Sequence, residues 1–374
     1  MLEHWLTLSM TDGIGPILSR RLIERAGSAE AACGASVALL RTVEGIGTSK
    51  ASKIAASLAE ARGKVVAEIE KARSLGVDFV TPEDEAYPHL LQTIPDPPLV
   101  LYVKGTLEPR DLNAIAIVGA RKCSFYGREQ AERFGMMLAG AGFTVVSGGA
   151  RGVDSAAHRG AMSVTNGRTL AVMGSGIDVV YPPENRELFD QISDHGAVIS
   201  EYPLGTPPIA ENFPKRNRVV SGMSRGVLVI EADERSGALI TARQAADEHN
   251  RVVMAIPGRV DNPQSAGPHK LIRQGATLVT RVEHIIEAVG ALDASIPEMP
   301  LFEHRDEPAP PKIVTILSDH QQTIIDSLSI DPQDVDSITE RTQLEVSIVL
   351  RELTLLTLKG RVKRVNGQRY VRVG

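Results

Sequence analysis

The chain has 374 residues, of which 43% are hydrophobic and 23% are charged. This length suffices for about two or three domains, and the apolar fraction excludes disorder over the whole chain. The formal net charge is −5 and aromatic residues make up only 4%, which argues against a nucleic-acid-binding protein whose entire surface is basic.

The same composition indicates a cytoplasmic protein without a bound metal or cofactor. No apolar run reaches the roughly 18 residues of a membrane span, and the first residues lack the basic and apolar pattern of a secretory signal. Cys33 and Cys123 are the two cysteines, too few for a disulfide scaffold or a four-ligand zinc site.

Residues 1–63 are predicted to form a helical domain. Gly13–Gly15 and Gly45–Gly47 both read Gly-Ile-Gly, 32 residues apart, and precede predicted helices over Ile17–Arg25 and Lys50–Ala61. Such a repeat is typical of a tandem helix-hairpin-helix or SAM-like domain, whose helix starts can hold a phosphate. The alternative interpretation is a small helical bundle with two glycine turns.

Residues 64–290 are predicted to form an extended Rossmann-like domain. A helix over Val65–Ser74 and a strand over Val77–Thr81 come first, followed by a proline cluster that keeps the chain extended. Short apolar runs alternating with helical stretches then predict a buried, doubly wound parallel sheet of the α/β class. These runs are Ala114–Val118, Thr144–Ser147, Thr169–Met173, Ala197–Ser200, Val227–Ile230, Val252–Ile256 and Thr277–Val279.

The C-terminal part is predicted to be a linker and a small domain. Residues 291–312 include five prolines between 297 and 311, which indicates a linker. Residues 313–374 show helices over Gln321–Leu328, Val335–Thr339 and Leu344–Leu358 and a hairpin at Asn366-Gly367, the layout of a winged helix. Six cations without an acid between 359 and 374 predict a basic wing that contacts phosphates or, alternatively, a solvated hairpin edge.

Glycines follow three of the predicted strands at the edge where open α/β sheets bind ligands. Glycine lets a ligand approach the backbone, and the start of the next helix favours an anion. Two of these clusters also carry arginine, so we predict an anion site there, although tight strand-to-helix turns need glycine as well. The candidate residues are Gly119, Arg121 and Ser124 after the first strand, and Ser147, Gly148, Gly149, Arg151 and Gly152 after the second.

A second basic cluster begins at Phe213. Arginine binds phosphates through paired hydrogen bonds, and phenylalanine can stack on a base. The candidate residues are Phe213, Lys215, Arg216, Asn217 and Arg218, and the alternative is a solvated helix start with Phe213 in the core.

No catalytic constellation is predicted. Asp154 and His158 lie four residues apart on one predicted helix face, as an acid–base pair or two metal ligands would, but a capping Asp with a packed His explains them better. The sequence lacks a phosphate-binding Gly-x-x-x-x-Gly-Lys-Ser/Thr loop, a dinucleotide-binding Gly-x-Gly-x-x-Gly and a Gly-x-Ser-x-Gly elbow.

Several segments together resemble the bacterial DNA processing protein A family, also called the DprA/Smf family. The resemblance is dense from about residue 87 to 280 and follows the family's order. Its segments are residues 87–88, 96–102, 117–121, 147–154, 157–161, 181–185, 200–203, 212–218, 236–242 and 257–258.

This resemblance implies a homodimer that binds single-stranded DNA and loads the RecA recombinase onto incoming strands during natural transformation. It further implies that Arg121 is the leading phosphate ligand, that the pocket also includes the second glycine cluster, and that Phe213 contacts a base beside Arg216 and Arg218. Two departures remove positive charge: Pro182–Glu184 and Ala210 stand where some members have lysine.

The alternative function is a nucleotide hydrolase that releases a base from a nucleoside monophosphate. Enzymes of this kind on related folds carry a glutamate on the helix after the glycine-rich loop. Here that loop is followed by Val153, Asp154 and Ser155, so hydrolysis is the weaker expectation and we do not predict an enzyme.

Overall fold

The computed structural model describes residues 1–290, 317–329, 332–359, 361–365 and 369–372. The chain divides into two compact units, a large one formed mostly by residues 1–290 and a small C-terminal one. Within the described residues, no helix combines the length and apolar character that crossing a membrane requires. In the same residues, His, Cys, Asp and Glu side chains form no group of three or more that could hold a metal ion.

The N-terminal part of the large unit is helical, as predicted. Its helices are α1 (Leu2–Ser9), α2 (Pro16–Ala26), α3 (Ala29–Cys33), α4 (Val37–Leu40) and α5 (Thr48–Ser74). Ile14 and Ile46, the central residues of the two Gly-Ile-Gly turns, are buried and anchor both turns in the core. The helices predicted over Lys50–Ala61 and Val65–Ser74 are one continuous helix, because a single glycine at position 63 weakens a helix without ending it.

A mostly parallel sheet forms the centre of the large unit. Within residues 1–290 its strands are β1 (Asp78–Val80), β2 (Leu101–Gly105), β3 (Ala114–Val118), β4 (Thr144–Ser147), β5 (Arg168–Met173), β6 (Gly196–Ser200), β7 (Gly226–Val229), β8 (Val252–Ala255) and β9 (Thr277–Leu278). Their spatial order is β1-β2-β6-β5-β4-β3-β7-β8-β9. The two pairings of β2, with β1 and with β6, are antiparallel, and the others are parallel.

The strand order creates a switch point beside β3. Successive strands from β3 to β6 extend to one side, and the chain then returns to place β7 against the other side of β3. Every residue of β3 is buried, since helices cover both faces of such a sheet. The predicted strands are confirmed to within about one residue at each end, and the α/β fold class is confirmed with them.

The remaining helices of the large unit lie between these strands in the chain, except the last, which follows β9. They are α6 (His89–Gln92), α7 (Phe125–Gly140), α8 (Val153–Met162), α9 (Arg186–His195), α10 (Asn212–Gly222), α11 (Gly237–Arg243), α12 (Ala266–Arg273) and α13 (Val282–Val289). Ser236 caps α11, where its hydroxyl accepts a hydrogen bond from the backbone N–H of Ala238 at 3.3 Å. The three glycine-bearing turns directly follow β3, β4 and β5, at the carboxyl edge of the sheet.

The small unit has the winged-helix layout. Its elements are α14 (Asp319–Ser327), β10 (Gln333–Asp334), α15 (Val335–Thr342), α16 (Val346–Leu358), β11 (Val362–Val365) and β12 (Arg369–Arg372). The strands form an antiparallel sheet in the order β10-β12-β11, and Ile324, Ile338 and Leu353 belong to the core beneath. The predicted linker at 291–312 and the predicted Asn366-Gly367 turn lie outside the described residues.

Candidate nucleic-acid interface

A cavity of about 530 Å³ lies at the switch point, beyond the carboxyl ends of β3 and β4. Turns after these strands, the start of α10 and the start of α11 form its walls, which is where open α/β sheets bind ligands. This switch-point cavity is lined by Val118, Gly119, Arg121, Gly148, Ala150, Asp154, Tyr181, Pro208, Ala210, Phe213, Pro214, Arg216, Asn217, Val220, Ser236, Gly237, Ala238 and Thr241.

Of the predicted residues, Gly119, Arg121, Gly148, Phe213, Arg216 and Asn217 thus line one cavity. Arg151 lines an adjoining smaller recess together with Arg121, Phe213 and Arg216. A larger groove of about 770 Å³, bordered by α11 and α12, contains none of the predicted residues.

Arg216 lies at the wall of the cavity as a buried cation. Its side chain donates a hydrogen bond from Nη1 to the carbonyl oxygen of Val172 at 2.6 Å, and only 4% of the residue is exposed. Burial lowers the pKa of its guanidinium, and the nearby carboxylate of Asp154 opposes that shift. The Nε atom of Arg216 is buried and has no hydrogen-bond partner among the described residues, so the wall of the cavity holds an unsatisfied cationic donor.

Gly148 makes room for this guanidinium. A Cβ atom at position 148 would lie 1.8 Å from Nη1 of Arg216 and 2.5 Å from its Cζ. Any side chain here would therefore displace the buried cation. Gly119 is similarly restricted, because its Cβ would lie 2.6 Å from Cγ2 of Val153.

Arg121 and Phe213 contact each other at the mouth of the cavity. The Cζ atom of Arg121 lies 4.9 Å from the centroid of the Phe213 ring, within the range of a cation–π interaction. Arg121 is exposed and Phe213 is half-buried. Phe213 is therefore at the site, as one of the two sequence interpretations expected, and not in the interior of the core.

Arg151 is paired at the rim with an acidic side chain. Its Nη2 donates to Oε2 of Glu184 at 3.0 Å, and its Nε contacts the other carboxylate oxygen. The two side chains are 50% and 52% exposed, so solvent screens their attraction. Hydrogen bonding from Arg151 lowers the pKa of Glu184, which keeps a negative charge beside the cavity.

Arg218 does not reach the cavity. It is 6% exposed and forms ion pairs with Oδ2 of Asp96 at 3.1 Å and with the carboxylate of Glu201. Burial alone would lower the pKa of Arg218, and the two carboxylates raise it above its ordinary value. The charge predicted to hold DNA at this position instead joins α10 to the loop that carries Asp96.

The remaining candidates do not line the cavity, and three of them shape the turns beside it. Ser147 is buried and its hydroxyl donates to the carbonyl oxygen of Ile117 at 2.6 Å. Gly149 and Gly152 have φ angles of +65° and +77°, which favour glycine. Lys215 is exposed beside the cavity, and Ser124 is not part of its lining.

Asp154 and His158 lie on one helix, and they are in different environments. The carboxylate of Asp154 accepts a hydrogen bond from the N–H of Ala150 at 3.3 Å, and burial raises the pKa of Asp154 against the effect of Arg216. Burial lowers the pKa of His158 to about 3, and its Nδ1 lies 2.7 Å from Oγ1 of Thr169. The imidazole is therefore a neutral, packed group, which agrees with the structural interpretation of this pair.

Comparison with known proteins identifies the family. The model of the family described as DNA recombination-mediator protein A matches residues 78–290, and the DprA winged helix domain model matches residues 306–368. The chain belongs to the DNA recombination-mediator protein A family. Its predicted membership of the DprA/Smf family is confirmed, as is the winged-helix domain.

One relative in this family matches nearly the whole chain, and another matches about half of it. Protein Smf of Synechocystis sp. is 34% identical over 394 aligned residues, which cover 99% of this chain and 98% of the relative. DNA processing protein DprA of Streptococcus pneumoniae is 42% identical over 203 residues, covering 54% of this chain and 71% of the relative.

Two solved structures of family members are similar to this fold. The structure of DprA from Streptococcus pneumoniae has a TM-score of 0.63 and 32% identity, covering 76% of this chain and 95% of that one. DNA processing protein A from Helicobacter pylori, described with a single-stranded DNA binding mode, has a TM-score of 0.50 and 29% identity. That match covers 56% of this chain and 94% of the other.

Sequence reasoning missed Tyr181 as a site residue in this family member. Its ring centroid lies 5.5 Å from that of Phe213, and it lines both the cavity and the adjoining recess. The available signal was its position in a Tyr-Pro turn soon after β5, at the same edge of the sheet. Ser236, Gly237 and Thr241 were missed because the acidic residues before them suggested a purely structural turn.

Proposed function

We propose that this protein binds single-stranded DNA at the switch-point cavity and performs no covalent chemistry there. The observation that carries the proposal is the pair of cations at one cavity, with Arg121 exposed and Arg216 buried beside it with an unpartnered Nε. Arginine binds phosphate oxygens through paired, charge-assisted hydrogen bonds. The single-stranded DNA binding mode described for the Helicobacter pylori relative supports the same assignment.

The shape of the site favours a single strand over a duplex. The cations lie in a recess between turns, and a nucleotide of a flexible strand can enter it. A duplex would first have to unstack that nucleotide, at a cost of a few kcal/mol. We therefore expect preference for single strands without a strong base code.

Binding of matched single- and double-stranded oligonucleotides at two salt concentrations tests the proposal. The wild-type protein is expected to prefer the single strand, with an affinity that falls as salt rises. Arg121→Ala is expected to weaken single-strand binding about tenfold and to lower the log–log salt slope by about 0.7, the value for one lost phosphate contact. Unchanged affinity and slope in this variant would show that the cavity is not the binding site.

We further propose that the protein acts as a cytoplasmic homodimer that protects incoming strands and loads the RecA recombinase during transformation and recombination. Membership of the DNA recombination-mediator protein A family supports this assignment. Light scattering at micromolar concentration gives the oligomeric state. RecA filament assembly on strands that are already coated with a single-strand-binding protein should be faster when this protein is added.

The alternative, hydrolysis of a nucleoside monophosphate, has a direct test at the same cavity. Asp154 is the acidic residue among those that line this cavity. Release of a free base from nucleoside monophosphates, lost in Asp154→Asn, would favour the enzyme over the DNA-binding protein.

A further inference from the structure

The side chain of Asn185 binds the turn after β4 instead of its own helix. Asn185 ends the short 3₁₀ helix Pro183–Asn185 and stands at the N-cap position of α9, where an asparagine commonly accepts a backbone N–H of the helix. It makes no such capping bond. Its Nδ2 donates to the carbonyl oxygen of Gly149 at 2.9 Å and to Oγ of Ser155 at 2.8 Å. Only 4% of the residue is exposed, so the amide is a buried donor to this turn.

The next residue of the turn, Ala150, is held by two further hydrogen bonds. The hydroxyl of Ser155 donates to the carbonyl oxygen of Ala150 at 2.5 Å, and the N–H of Ala150 donates to Oδ2 of Asp154 at 3.3 Å. Gly148 and Ala150 line the switch-point cavity, and Gly149 lies between them in the chain. Two successive carbonyl groups at the wall of the cavity are therefore bound to donors of the protein itself.

These bonds bear on the electrostatics of the cavity. A carbonyl oxygen is the negative end of a peptide dipole, so a carbonyl turned toward a bound phosphate would repel it. Gly149 and Gly152 have φ angles of +65° and +77°, and glycine permits several other backbone conformations. The glycines alone therefore do not fix the direction of the Gly149 carbonyl, and a buried donor that binds it supplies this constraint.

We propose that Asn185 is a positioning residue of the DNA site, which holds the Gly149 carbonyl away from the bound strand and keeps the turn in its phosphate-accepting conformation. The inference rests on the proposed function of the switch-point cavity. Asn185 is not among the residues that line the cavity, so it acts through the turn. Ser155 assists it, because this hydroxyl receives a hydrogen bond from Asn185 and donates one to Ala150.

Asn185→Ala removes the donor without changing any charge. We expect its affinity for an oligothymidine to fall about 3- to 10-fold, because a carbonyl freed from its donor can turn toward the phosphates. The log–log salt slope should stay at the wild-type value, since every phosphate-binding cation is retained. Titration at a protein concentration well above the Kd should give the wild-type number of binding sites, which establishes that the fraction of folded protein is unchanged.

Thr144→Val is the matched control for stability. Thr144 is buried at the opposite end of β4, where its Oγ1 donates to Oδ1 of Asp111 at 2.8 Å. Valine keeps the branched shape and removes this one hydrogen bond. Urea unfolding should therefore show reduced stability in both variants, whereas the affinity for oligothymidine should fall only in Asn185→Ala.

Ser155→Ala tests whether the two side chains act on the same turn. It should weaken binding in the same direction as Asn185→Ala, and the double variant should lose less affinity than the two separate losses predict, because both substitutions release the same segment. If Asn185→Ala does not fold, the comparison of Ser155→Ala with Thr144→Val provides the test.

Different results overturn the inference and the proposed function. Wild-type affinity in a folded Asn185→Ala protein would contradict the positioning role, and an equal loss in Thr144→Val would mean that lower stability alone weakens binding. A salt slope that fell as in Arg121→Ala would mean that the substitution displaces a cation and not a carbonyl. Each of these results leaves the cavity as the DNA site, whereas unchanged affinity and slope in Arg121→Ala would remove the proposed function itself.

Discussion

Gly148→Ala tests the geometry of the cavity without changing any charge. Because the new methyl carbon would lie 1.8 Å from Nη1 of Arg216, the guanidinium must retreat by about 2 Å to reach ordinary van der Waals contact. That movement is expected to disrupt the 2.6 Å hydrogen bond to Val172, a loss of about 1.5–3 kcal/mol for a charged donor. We expect single-strand affinity to fall about 10- to 100-fold.

Fluorescence anisotropy with a labelled oligothymidine measures this change, and urea unfolding measures the free energy of unfolding. Gly237→Ala is the matched control, because Gly237 lines the same cavity and a Cβ there meets nothing within 4 Å. We expect wild-type affinity in the control. A folded Gly148→Ala protein that bound DNA like the wild type would refute the assignment of Arg216 as a DNA ligand, because this assignment requires the guanidinium to stay in its present position.

Two further predictions concern charge and pH. Glu184→Gln removes the carboxylate that occupies Arg151, so affinity for single strands should rise about 2- to 5-fold in anisotropy titrations. The same rise in an Arg151→Ala background would contradict this explanation. Burial lowers the pKa of His158 to about 3, so the stability that its neutral form contributes is present above pH 6.5 and decreases as the pH falls toward 3. Urea unfolding between pH 7 and 5 should show this decrease in the wild type, about 1.4 kcal/mol per pH unit below 6.5, and not in His158→Gln. Equal pH dependence of the free energy of unfolding in both proteins would exclude a contribution from His158.

The sheet was predictable because burial on both faces leaves a simple record in the sequence. Each strand from β3 to β8 is a short apolar run, and helices of sufficient length lie between most of them. Strand β2 was harder to predict, because it follows prolines and pairs antiparallel with both neighbours. Its partner β6 is distant in the chain and its partner β1 is separated from it by α6, so no local pattern specifies these pairings.

The glycine clusters predicted the location of the candidate site, since the carboxyl ends of parallel strands share one edge. They did not predict what each glycine does there. Gly148 leaves space for Arg216, whereas Gly149 adopts a positive φ angle and packs against Phe189. The two are adjacent, and only the three-dimensional positions of Arg216 and Phe189 separate their functions.

The sequence also does not predict what each cation of α10 does, because that depends on the three-dimensional positions of its neighbours. This changes how the charge of the site is understood. Arg216 and Arg218 are both buried and two residues apart, yet Arg218 faces Asp96 and Glu201 while Arg216 faces the cavity. Arg151 is already paired at the rim. A basic run in the sequence therefore overstates the charge that is available to DNA, because carboxylates from other segments neutralise part of it. The cations that remain are few and partly desolvated, and a desolvated cation binds a phosphate more strongly than a solvated one does. A chain with a net charge of −5 can accordingly present positive charge to an anion at one cavity.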